Sequence, residues 1–266
     1  MTIAASADRT FHEPFFSKLS TSDNCVLLLD YDQTISLFCS TPCDISVNAS
    51  IHELLQAIMT GGRTRVILLS ELQALEVAEL LQMSPAPEIW GSRGLERRTP
   101  KGDSEIVGIP NEAEQALAAL DLSLEAQGVG RFTEVEPGAI IVRWGGLARQ
   151  VMQEVSERVS DAWLASPRQR WLVMREFEGG IEFRFRLWNK HQAIQQLLSE
   201  LGTDVPVAYL GDEKSDEDAF RALKYHGLCV LVRSKFIATI ADVWLQPPGD
   251  VVRFLSDWLR ARAVDA

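Results

Sequence analysis

Apolar residues fall into two kinds of run along the chain. Val26-Leu27-Leu28-Leu29 and Val66-Ile67-Leu68-Leu69 are continuous, and short runs of that kind read as strands buried on both faces. Between and after them apolar positions recur at helical spacing. One such stretch is 50–60 (SIHELLQAIMT), with Asn48 or Ser50 as caps and Gly61-Gly62 as the stop. The next is 72–82 (LQALEVAELLQ), ended by Pro85 and Pro87, after which Ile89-Trp90 leads into Gly91. The series is β-α-β-α-β, which predicts a parallel sheet covered by helices.

The pattern then changes. Residues 111–126 and 147–164 read as helices. The β-rich stretches 131–136 and 139–143 flank Pro137-Gly138, and 170–175 and 181–187 flank Gly179-Gly180. An α-ββ-α-ββ order predicts an antiparallel sheet with two helices on one face. The first pattern returns afterwards: helix 189–201, strand 205–210 closed by Gly211-Asp212, helix 216–224, strand 228–232 and an amphipathic helix over 248–262. The expected fold is α/β. A parallel Rossmann-like core is formed by residues 1–105 and 188–266, and an α+β cap is inserted over 106–187.

Composition narrows the function. With 46% hydrophobic and 24% charged residues the chain can build an ordinary core. The net charge of −11, with no basic cluster, argues against nucleic-acid and anionic-membrane partners. Cys25, Cys39, Cys43 and Cys229 are too few for a disulfide framework, and no second Cys/His pair turns Cys39 and Cys43 into a metal site. The start MTIAASADRTFHEPFF lacks a basic-then-apolar leader, and no apolar run reaches membrane-spanning length. These features predict a soluble, cytoplasmic protein.

Ligands of open parallel sheets bind beyond the carboxyl ends of the strands. Three such ends carry polar groups: Asp30-Tyr31-Asp32-Gln33-Thr34, Ser70, and Gly211-Asp212-Glu213-Lys214-Ser215-Asp216, while Lys190 opens the helix after the insertion. Carboxylates without a partner His or Cys suit a hard cation bound through oxygen, best matched by Mg²⁺. A Lys and a Ser hydroxyl suit phosphate oxygens. A carboxylate can also attack phosphorus, and a second one two residues on can protonate the leaving alkoxide. Blander readings stand beside these. Ser70 could cap the helix at 72–82, and Asp216, Glu217 and Asp218 all suit a first helical turn.

The order DYDQT, Ser70, Lys190, GDEKSDED resembles the four motifs of haloacid dehalogenase-type phosphatases. Within them the chain is similar to trehalose-6-phosphate phosphatases, through DYDQT at 30–34, GSRGLERR at 91–98, NKH at 189–191 and GDEKSDEDAF at 211–220. The resemblance implies that Asp30 is nucleophile and Mg²⁺ ligand. It implies that Asp32 is general acid and base with its carbonyl on the metal, that Ser70 and Lys190 hold the phosphoryl oxygens, and that Asp212 and Asp216 complete the metal site. It marks Glu136, Glu182 and Arg93 as substrate contacts and a small sugar phosphate as substrate, with another glycosyl phosphate, such as glucosylglycerol phosphate, or a weakly active sugar-phosphate-binding regulator as alternatives. Glu136 and Glu182 read equally well as solvated strand residues. Five positions depart from the family: Gln33 and His191 stand where it has Gly, Glu71 and Leu72 where it has the Gly and Arg of Ser-Gly-Arg, and Gly138 where it has Lys.

Overall fold

The computed structural model describes residues 4–5, 13–32, 45–166, 169–202, 204–212 and 214–263. Gln33, Thr34, Cys39, Cys43 and Glu213 lie outside the described residues, as does most of the N-terminal stretch read for a leader. The chain divides into two compact units, residues 1–105 with 189–266, and residues 106–188.

The first unit is built on β1 (Ala4–Ala5), β2 (Cys25–Asp30), β3 (Thr64–Leu69), β4 (Glu88–Gly91), β5 (Glu96–Arg98), β6 (Ser104–Ile106), β11 (Val207–Gly211), β12 (Leu228–Val232) and β13 (Val243–Leu245). They form one sheet in the order β1-β13-β12-β11-β2-β3-β4-β5-β6. Strands from β1 to β4 in that order pair in parallel, and β5 turns back antiparallel on β4. Its helices are α1 (Glu13–Thr21), α2 (Ile45–Thr60), α3 (Ala74–Leu81), α6 (Lys190–Glu200), α7 (Asp216–Leu223) and α8 (Gly249–Arg262).

Strand alternation divides the core. Leu27, Leu29, Leu68, Ala208, Leu210 and Val230 pack with Leu19 of α1, Ile51 and Leu55 of α2, Val77 of α3, and Phe254 and Trp258 of α8. Tyr209 points to the other face, where its ring meets Phe220 of α7 edge-on at 5.7 Å. The described segments begin and end together. The Arg262 guanidinium, in the last turn of α8, donates to the carbonyls of Leu19, Ser22, Asp23 and Arg63.

The second unit holds β7 (Thr133–Glu136), β8 (Ala139–Arg143), β9 (Leu172–Phe177) and β10 (Gly180–Phe185), with α4 (Asn111–Ala126) and α5 (Arg149–Ala165). The sheet order is β7-β8-β10-β9 and every pair is antiparallel. Ile140, Val142, Ile181 and Phe183 pack on Leu120 and Leu124 of α4 and Val155 and Val159 of α5, so both helices cover one face. The other face carries Glu136, Ala139 and Arg184 in one cross-strand row, and Glu134, Ile141, Glu182 and Arg175 in the next.

The sequence pattern left out α1, β1, β5, β6 and β13. It also started α2 too late. Asn48 and Ser50, expected to cap that helix, lie inside it. Among the described residues no helix is long and apolar enough to cross a membrane.

Candidate active site

β2 lies between β3 and β11, so the chain leaves the sheet in opposite directions on either side of it. This is a topological switch point, where a crevice opens beyond the carboxyl ends of the strands. Asp30 is the last residue of β2, Ser70 follows β3 and Asp212 follows β11.

Two clusters form there. In the first, Lys190 Nζ donates to Asp30 Oδ1 at 2.5 Å and to Asp216 Oδ1 at 2.7 Å. Asp216 Oδ1 also accepts from Tyr209 Oη at 2.6 Å, and its Oδ2 from the Asp212 amide at 2.9 Å. Arg233 donates to the Asp212 carbonyl at 2.9 Å. All of these acidic and basic groups except Arg233 are at most 8% exposed. Lys190 is placed by the start of α6, where Asn189 and Gln192 form a reciprocal capping box. Asp216 opens α7, where its charge also suits the helix dipole.

In the second cluster Asp32 Oδ2 accepts from Ser70 Oγ at 2.9 Å and from the Glu71 amide at 2.7 Å. Two donors thus converge on one carboxyl oxygen. Ser70 does not cap α3. The residue at that position is Gln73, which makes no side-chain cap bond, and the Ser70 hydroxyl instead accepts from the Leu72 amide at 3.0 Å.

Burial sets the electrostatics. It pushes the Asp30 carboxyl well above the usual range, and Asp216 adds to that, against the opposing pull of Lys190. Burial also raises Asp32, partly offset by the Glu71 amide and Ser70. Burial alone would lower Lys190, but Asp216 and Asp30 together hold it above its ordinary value. Tyr209 is raised well above the normal phenol by burial and then by Asp216. Asp30, Asp212 and Asp216 each bring a carboxylate oxygen within 4.8 Å of the others. Negative charge crowded beyond what Lys190 offsets, presented through oxygen alone, fits a hard divalent cation.

The remaining candidates fall elsewhere. The Arg93 amide donates to the Ser70 carbonyl at 2.8 Å, and its Nε lies 4.0 Å from Glu71 Oε1. His191 is tied into α6 by its amide, which donates to Asn189 Oδ1, and its ring Nδ1 lies 3.1 Å from the Asp218 carbonyl. Glu136 and Glu182 belong to the second unit, on the sheet face opposite its helices. Glu182 is not a solvated strand residue: it is 8% exposed, with Arg184 4.0 Å away. Gly138, where a Lys was the family expectation, has φ +69°, a conformation that the turn between β7 and β8 imposes and a Lys would resist.

Tyr209 escaped the sequence reading because a Tyr inside the apolar strand VAYLG looks like packing. The one available signal was that a buried phenol requires a partner.

Known proteins share this architecture. The structure of Aspergillus fumigatus trehalose-6-phosphate phosphatase superposes with a TM-score of 0.64 at 20% identity, covering 97% of this chain and 99% of the other. A haloacid dehalogenase-like hydrolase from B. subtilis superposes at 0.53 with 16% identity, covering 87% and 98%. The chain therefore has the fold of haloacid dehalogenase-like hydrolases. In sequence it is 39% identical over 271 residues to "Probable trehalose-phosphate phosphatase H" of Arabidopsis thaliana, covering 92% of this chain and 75% of that protein. It is 26% identical to trehalose-phosphate phosphatase B of the same plant, covering 88% and 67%. No protein-family model matches the chain. The chain belongs to the trehalose-phosphate phosphatase family, and with it to the phosphoric monoester hydrolases.

Proposed function

We propose that this protein is a Mg²⁺-dependent sugar-phosphate phosphatase that works through an aspartyl-phosphate on Asp30, with trehalose 6-phosphate as the first candidate substrate. The observation that carries the reading is the buried Asp30 carboxylate at the switch point, aligned by Lys190 at 2.5 Å inside the Asp30–Asp212–Asp216 cluster. The family relatives support the sugar ester.

A phosphate monoester is held by Lys190, Ser70 and the Glu71 amide, a reading supported by their present hydrogen bonds to carboxyl oxygens. An Asp30 oxygen attacks phosphorus, and the bond from phosphorus to the sugar oxygen breaks. Asp32 gives its proton to the departing alkoxide, a task that its raised affinity for the proton favours. The resulting Asp32 carboxylate then takes a proton from water, which attacks the aspartyl-phosphate and releases inorganic phosphate. Asp30, Asp212, Asp216 and the Asp32 carbonyl would hold Mg²⁺, which would supply charge neutralisation for the phosphoryl oxygens. Tyr209 and Arg233 keep Asp216 and Asp212 in place.

Residues 106–188 form the substrate-selecting cap in this reading, with Glu136 and Glu182 accepting hydrogen bonds from sugar hydroxyls and Arg93 as a further contact. The test is phosphate release from a panel of phosphorylated sugars, run with Mg²⁺ and after chelation. Turnover of one or a few sugar esters that disappears in EDTA and returns with Mg²⁺ is expected. Full activity in EDTA, or no turnover of any ester, refutes the reading.

A further inference from the structure

The segment GSRGLE at 91–96 stands out in the sequence, yet the mechanism above leaves most of it without a task. Together with Trp90 just before it, its main chain grips the loop Ser70-Glu71-Leu72, and a side chain reaches the start of α3. The Ser70 amide donates to the Trp90 carbonyl at 3.0 Å, the Arg93 amide to the Ser70 carbonyl at 2.8 Å, and the Ser92 amide to the Leu72 carbonyl at 2.7 Å. Glu96 Oε2 then accepts from the Ala74 amide at 2.8 Å. Ala74 is the first residue of α3, so its amide has no partner within the helix. Gln73 provides no side-chain cap, and a carboxylate from another strand takes that place.

Two details show that the grip is specific. Gly91 and Glu96 are cross-strand partners facing the same helix start. A Cβ on Gly91 would fall 2.2 Å from the Ala74 nitrogen, so the glycine is what lets the two segments touch. Ser92 and Arg93 have φ of 49° and 60°, in the left-handed region that side-chain-bearing residues avoid. Backbone held in that region costs free energy and persists where surrounding contacts over-determine it. The Ser92 hydroxyl is also buried with no hydrogen-bond partner among the described residues. Local preference explains neither feature, and both accompany the two amides that hold the loop.

We infer that 91–96 is a brace for the oxygen-binding loop, and that Glu96 is a positioning residue that sets the geometry of Ser70 Oγ and the Glu71 amide by fixing the start of α3. The inference rests on reading those two groups as phosphoryl ligands. Without the Glu96 contact the Ala74 amide loses its partner, the first turn of α3 relaxes, and the loop joined to it moves by the fraction of an ångström that weakens convergent hydrogen bonds.

The test uses the full chain and inorganic phosphate as an inhibitor of hydrolysis of a small aryl phosphate, with the melting temperature measured beside it. Glu96→Ala should raise the inhibition constant by about fivefold or more, and Glu96→Gln, whose amide oxygen still accepts, should stay within about twofold of wild type. In a Ser70→Ala background Glu96→Ala should add less than about twofold, because both substitutions act through one loop. A general loss of stability would not give this dependence on background. If Glu96→Ala does not fold, Glu96→Asp replaces it, its carboxylate one methylene short of Ala74. An inhibition constant unchanged by these substitutions while Ser70→Ala raises it overturns the brace alone, as does an equal effect in both backgrounds. No inhibition of the wild type by phosphate, or no effect of Ser70→Ala, overturns the phosphoryl-site reading and the brace with it.

Discussion

The crevice of the first unit and the helix-free sheet face of the second carry charges under different rules. In the crevice, Asp30, Lys190, Asp216 and Tyr209 are joined by hydrogen bonds of 2.5–2.7 Å and are almost wholly buried. On the helix-free face Arg143 lies 3.3 Å from Glu134 with both side chains about half exposed, while Glu182 and Arg184, 4.0 Å apart, are largely buried. Groups that must meet a reacting atom need fixed positions before it arrives, because reorganising them during reaction adds to the barrier. An exposed pair such as Arg143 with Glu134 carries no such requirement, because solvent screens it.

The largest effect should come from breaking the tight cluster at its reactive atom. Asp30→Asn should cut turnover by about a thousandfold or more, since an amide cannot attack phosphorus, while thermal unfolding remains cooperative. Turnover within a few-fold of wild type would remove Asp30 from its role.

Tyr209→Phe deletes one buried donor to Asp216 and should destabilise the protein by about 1.5–3 kcal/mol, read by denaturant titration. A change under about 0.5 kcal/mol would show that this buried contact counts for no more than the exposed Arg143–Glu134 pair.

Glu182→Gln sharpens the contrast from the other side. It should lower kcat/KM on the true sugar ester by roughly tenfold, about 1.4 kcal/mol, and leave a small aryl phosphate nearly unaffected. Equal losses on both would mean that Glu182 serves the fold instead of the sugar. The smallest effect is expected for Glu134→Gln, which weakens the exposed pair with Arg143 and should cost less than about 1 kcal/mol, falling further in high salt.

Legibility followed burial. The strands β2, β3, β11 and β12 are runs that only a doubly covered sheet can hide, so their ends, and therefore Asp30, Ser70 and Asp212, could be placed from pattern alone. The elements that were missed have weaker physics. β5 is Glu-Arg-Arg, a polar three-residue strand between β4 and β6 with no alternation to read, and β13 also has three residues. In α1, Pro14 and the Ser and Thr residues of EPFFSKLST mask a helix whose fully buried side chain is Leu19. In the site, the carboxylates, Lys190 and Ser70 were named, and Tyr209, Arg233 and the Glu71 amide, which hold them in place, were not. The Tyr209 phenol and the Glu71 amide gain significance only once distant segments meet, and no local spacing encodes that.

The Arg262 clamp bears on how the molecule is made. Arg262 and Leu19 are 243 positions apart, yet one guanidinium serves the carbonyls of both α1 and the turn before β2. A chain growing from its amino end holds those carbonyls exposed until α8 has emerged. The other neighbour of β2, strand β11, is also synthesised late, after the whole of residues 106–188. A contact of such long sequence separation has a high loop-closure cost. During synthesis the early half of the sheet must therefore wait with one flank of β2 open, while the intervening α+β unit has its own strands and helices to hand and can order first.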